Sequence, residues 1–63
     1  MNTVDKLYLT KAWVNTGKGN TFECTFINAV YNYHYKHKKI THRQAATIDS
    51  IIEKNKIVHN SKD

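Results

Sequence analysis

From Asn20 onward, Phe22, Phe26, Ala29, Val30, Tyr33 and His37 recur at offsets that place them on one stripe of a 3.6-residue helix. This spacing predicts a helix over 20–39. Asn20 marks its start, because its side-chain oxygen can accept a backbone N–H of the first turn, and Glu23 can reach back to complete a capping box. Lys36, Lys38 and Lys39 gather at its end, where positive charge complements the helix dipole. A second helix, over 41–55, is announced by ITHRQA: Thr41 as N-cap, Gln44 as capping-box partner, and Ile40 placed to staple against Ala45. Ala45, Ile48, Ile51 and Ile52 form its apolar stripe, while Asp49, Glu53 and Lys54 fall on other faces. The spacer between the two is so short that they must be antiparallel neighbours. The expected core is Phe22, Phe26, Val30, Tyr33, Ile48 and Ile52.

The N-terminal segment, 1–16, gives two answers. Val4, Leu7, Tyr8 and Ala12 fit helical spacing, whereas Leu7, Leu9 and Trp13 fit the alternation of a strand. A lone strand would need a partner strand from another chain, and an isolated helix pair needs a third apolar surface to cover it. The balance therefore leans to a helix, giving an all-α fold: a small helical domain in which the N-terminal segment, helix or strand, packs on an antiparallel helix pair. Gly17 and Gly19, in NTGKGN, supply the hinge before that pair, and the polar tail over 58–63 is expected to fray.

Length changes the picture by excluding a second domain. A chain of 63 residues buries only about 60% of its unfolded surface, so 1–63 reads as one unit and a two-lobed catalytic cleft is not expected. A single cysteine, Cys24, rules out an internal disulfide, and stability must come from the apolar core or from self-association, which leaves a homodimer open. The lone cysteine, with no charged start followed by an apolar run and a small-residue cleavage site, points to a reducing, cytoplasmic compartment. No apolar stretch approaches the roughly 20 residues that span a bilayer, so no membrane partner is expected.

Charge then narrows the partners. Ten Lys and Arg against five Asp and Glu give a formal net charge of +5, a bias toward polyanions, with nucleic acid first and an acidic protein surface second. The residues that would carry such binding are Tyr31, Tyr35, Lys36, Lys38, Lys39 and Arg43, with His34 on their flank. Tyrosine rings can stack on bases while the cations neutralise phosphates. Two other readings of the same face remain: the N-terminal segment covers Tyr31 and Tyr35, or the tyrosines anchor a protein partner.

Other chemistry finds little footing. His34, His37, His42 and Cys24 lie on the helix pair, but Cys24 stands nearly three turns from His34, and no zinc-type spacing brings four ligands together. No metal and no cofactor is expected. There is no nucleophile elbow, no phosphate-cradling loop and no carboxylate pair in an evident cleft, so the chain reads as a binding module rather than an enzyme.

FECTFINAV and ITHRQAATIDSIIEK together resemble a short helix-pair module that recurs in phage and bacterial proteins. Its pattern is aromatic-Glu-x-x-Phe, then Ile or Val, and after a spacer Ile/Leu-Thr/Ser-x-Lys/Arg-Gln and an aliphatic helix. Phe22, Glu23, Phe26, Ile27 and Val30 match the first half, and Ile40, Thr41, Arg43, Gln44, Ile48 and Ile51 the second; Phe22 stands where Trp is usual and Ala29 where Ser is usual. The module accompanies DNA-handling regions of larger proteins. The resemblance implies a phage-like origin in a replication-associated or mobile-element setting, and it carries no activity of its own. Charge and the tyrosines supply the functional expectation: a small phage-type accessory protein in the host cytoplasm that binds nucleic acid with low sequence selectivity, or an inhibitor or adaptor that docks a Tyr-rich face on a host or phage protein.

Overall fold

The computed structural model describes residues 2–57. Asn2 opens the first helix by accepting the Asp5 backbone N–H on Oδ1 at 2.8 Å, and α1 then runs Thr3–Asn15. The segment with two readings is thus a helix. Its inward positions are Leu7, Thr10 and Val14. Thr10 is fully buried, and its hydroxyl reaches the carbonyls of Lys6 at 3.0 Å and Leu7 at 2.9 Å. That back-bonding satisfies the hydroxyl inside the core. It also explains the ambiguity, because a polar residue holds the middle position of the buried face and weakens the helical pattern.

α1 leads into a turn where Gly17 and Gly19 both adopt positive φ, 88° and 90°. A Cβ on Gly17 would meet open space, whereas one on Gly19 would lie 2.9 Å from the Trp13 ring. Gly17→Ala should therefore cost about 1 kcal/mol, the ordinary strain of a left-handed backbone. Gly19→Ala should cost clearly more, since the indole must also move. Urea midpoints of the two variants compare them directly, and equal midpoints would show that Trp13 yields freely.

α2 spans Thr21–His37, inside the predicted 20–39, and the capping box at its start is closed in both directions: Glu23 N–H to Asn20 Oδ1 at 2.8 Å and Asn20 N–H to Glu23 Oε1 at 2.9 Å. α3 spans His42–Asn55, with Thr41 and Gln44 closing the second box at 3.1 and 2.9 Å. Both helices end on a lysine in the left-handed region, Lys38 at φ 59° and Lys56 at φ 54°, a place glycine or asparagine usually takes.

Leu7, Val14, Ile27, Val30, Ile48, Ile51 and Ile57 form the core. Only Val30 and Ile48 of the six expected core residues are fully inside. Phe26 and Ile52 pack on the core while half-buried, Tyr33 is half-buried, and Phe22 is 62% exposed. The expected stripe lies about one residue round the helix from the true one, which is Glu23, Ile27 and Val30. The reason is again a polar residue in a core position. Glu23 is 3% exposed, and besides the Asn20 N–H it accepts the Asn55 side-chain amide at 2.8 Å. The Lys54 ammonium stands 3.7 Å away. These contacts tie the start of α2 to the end of α3, which makes the pair antiparallel. Ile40 also packs on the core. The expected fraying of 58–63 lies outside the described residues.

Candidate nucleic-acid interface

Between Glu23 and Asp49 the chain carries no acidic residue, and it places Lys36, Lys38, Lys39 and Arg43 in that interval. The fold brings all four to the end of the molecule where α2 stops and α3 starts, and all four are exposed. Among the described residues the ion pairs are Lys6 with Asp49 and Lys54 with Glu23. The four cations of this corner are therefore free of carboxylate partners within 2–57.

The tyrosines divide. Tyr35 is 75% exposed, and the Lys38 ammonium sits over its ring at 5.2 Å. Tyr31, four residues earlier and on the same side of α2, is half-buried against α1. There Tyr8 meets it edge-on, with ring centroids 6.0 Å apart, and the Lys11 ammonium lies over it at 5.0 Å. Lys11 also donates to the Asn28 side-chain oxygen, which fixes α1 along this face. So the N-terminal segment does cover Tyr31, and it leaves Tyr35 open. In exchange α1 contributes Tyr8, 49% exposed, with His34 edge-on to it at 6.1 Å.

The six residues singled out from sequence do not form one face. Tyr31, Tyr35 and Lys38 share a side of α2, now joined by Tyr8, Lys11 and His34. Lys36 lies about 100° round the helix from Tyr35, and Lys39 and Arg43 flank the turn into α3. Tyr8 and Lys11 were not singled out, although their separation of three residues would have joined them on one face once α1 was taken as a helix. The corner is thus a basic rim beside an aromatic strip, with cations and rings in alternation.

No three His, Cys, Asp or Glu side chains gather as a metal set among the described residues. The Cys24 thiol points to the Lys18 carbonyl at 3.4 Å, and His37 lies on the Tyr33 ring at 4.4 Å, so the candidate ligands face different neighbours. An open groove of about 610 Å³ runs between the ends of α1 and α3, floored by Leu9, Trp13 and Ile57 and edged by Lys18 and Lys56. It lies away from the basic corner. Among the described residues no helix is long and apolar enough to cross a membrane. No family model, curated protein or solved structure matches the chain.

Proposed function

We propose that this chain is a cytoplasmic, non-enzymatic accessory protein of phage type that binds nucleic acid with low sequence selectivity. The acid-free run from Glu23 to Asp49, with its four exposed cations at one corner, carries the reading. Lys38, Lys39 and Arg43 contact phosphates, and Lys36 contributes from the adjoining flank. Tyr35 and Tyr8 offer exposed rings to unpaired bases, while Tyr31 and Lys11 hold the strip in place. Phosphate contacts position a protein without reading sequence, and nothing in the strip resembles a base-reading element, hence the low selectivity.

Fluorescence anisotropy with labelled oligonucleotides tests this. Affinity should fall steeply with salt, each neutralised phosphate adding a log-log slope of roughly −0.7 to −0.9. Reversing Lys38 and Lys39 to glutamate should flatten the slope by about two such contacts. Tyr35→Ala should weaken single-strand binding by about 1–3 kcal/mol with the slope unchanged. Lys38→Gly relieves a left-handed lysine and should stabilise the fold by about 1 kcal/mol, yet it should bind more weakly. Absence of binding at low salt would sink the proposal.

One observation favours a second reading, an inhibitor or adaptor that docks on an acidic protein surface: a tyrosine 75% exposed beside a lysine has the make-up of an interface anchor. A saturable complex that survives nuclease, is lost in Tyr35→Ala and has no nucleic-acid counterpart would select it.

A further inference from the structure

The helical stripe that reads as core in the sequence is, in the fold, an aromatic surface. Phe22 is 62% exposed, Ala29 and His37 are exposed, and Phe26 and Tyr33 keep one edge outside. The rings are ordered in two pairs. Phe22 stacks on Phe26 with centroids 5.8 Å apart and planes 20° from parallel, and Tyr33 lies against His37 at 4.4 Å. Ala29, with no ring, separates them.

This order, ring pair, alanine, ring pair, reads nearly the same in both directions along α2. We infer that this flank of α2, about a quarter turn from its buried line, pairs with the same flank of a second copy of this chain, the two α2 helices antiparallel and related by a two-fold axis that passes beside Ala29. In that register Phe22 faces the second copy's His37 and Phe26 faces its Tyr33. The small alanine sits where the helices cross, which allows an axis separation of about 8 Å. A two-fold contact uses one patch on both partners and must be self-complementary; a stripe symmetric about its middle has that property.

Charge selects a second copy over a polyanion. Between Glu23 and Lys36, α2 carries no lysine, arginine, aspartate or glutamate. Two chains of net charge +5 can therefore meet along the middle of this run with no α2 charges opposed, whereas a nucleic acid would find nothing there to neutralise. Charge depletion with aromatic enrichment is also the composition of interface centres. Area sets the strength. A 17-residue helix is about 25 Å long, but the flank is narrower than half of it because Phe26 and Tyr33 are already half-buried. A pair then buries less than the roughly 1,000 Å² of a stable specific interface, so the dimer is weak and concentration-dependent. The surface is distinct from the basic corner, and the inference stands whether or not the chain binds nucleic acid.

Sedimentation equilibrium on nuclease-treated protein, from low micromolar to roughly millimolar concentration, tests it. The expected result is a monomer–dimer equilibrium that persists in high salt. Ala29→Glu, at an exposed position where the two-fold sets two carboxylates face to face, should abolish the dimer while circular dichroism stays that of the parent. Phe22→Ala should weaken it by at least tenfold. A chain that remains monomeric throughout, a dimer unaffected by Ala29→Glu, or one that dissolves in salt would each overturn the inference.

Discussion

Replacing Ile27 with alanine should unfold most of this protein, while replacing Phe22 with alanine should leave it nearly as stable as the parent. Ile27 is fully buried at the centre of α2's inward line. Truncating it removes transfer free energy and leaves a cavity, about 2–5 kcal/mol together. A single core in a chain this short rarely supplies more than about 3–5 kcal/mol, so the loss is comparable to the whole stability. Phe22 is the larger residue but is 62% exposed, and its removal forfeits only the stacking on Phe26, about 1 kcal/mol. Phe26→Ala should fall between the two, since that ring packs on the core from one side. Urea melts at low micromolar protein, where self-association is negligible, give the order, with Ile27→Val expected to cost about 1 kcal/mol where the alanine variant is too unfolded to measure. A Phe22→Ala as damaging as Ile27→Ala would place the expected stripe inside after all.

That contrast also measures what a sequence of this kind reveals. The helix ends of the pair were legible to within two residues, because capping is local chemistry: Asn20 with Glu23 and Thr41 with Gln44 declare themselves by residue type and spacing. The α3 stripe was legible in part: Ile48 and Ile51 hold the inward positions, while Ala45 and Ile52 sit at its edge, half-buried, so Ile51 and not Ile52 belongs to the core. On α1 and α2 the inward faces were obscured by Thr10 and Glu23. Each is polar, each lies in the core, and each is satisfied by bonds that hydrophobicity does not register: backbone carbonyls one turn back for Thr10, the Asn55 amide for Glu23. With Glu23 discounted, Phe22 and Phe26 drew the stripe toward themselves. The candidate site followed the same logic. Lys38, Lys39 and Arg43 at the corner were legible from charge alone, but the fate of Tyr31 depended on where α1 docks, and Tyr8 entered only through that docking.

Glu23 should make this protein lose stability in acid in a way its glutamine variant does not. The Asn55 amide is the main cause holding its carboxyl below the ordinary value of 4.5. The Asn20 backbone N–H adds to this, burial opposes it, and the Lys54 charge assists. A carboxylate whose pKa is lower folded than unfolded contributes its full stabilisation above the unfolded value, and that contribution drains away as pH falls through the folded one. The loss therefore begins near pH 4.5 and deepens below it. Glu23→Gln removes the titrating group, leaving one carbonyl to serve donors that a carboxylate served with two oxygens. Glu23→Ala removes both acceptors and leaves the half-buried Asn55 amide only its bond to the Ile51 carbonyl at 3.0 Å, an additional cost of about 1 kcal/mol. Both variants should be less stable than the parent at neutral pH, with alanine the worse. Unfolding free energies of parent and Glu23→Gln, followed from neutral pH down to about pH 3, should converge, because acid takes from the parent what the substitution has already taken from the variant. The remaining carboxylates titrate in both proteins and cancel in the difference. A gap that stays constant across that range would mean that Glu23 titrates alike folded and unfolded, and that the junction between α2 and α3 draws nothing from its charge.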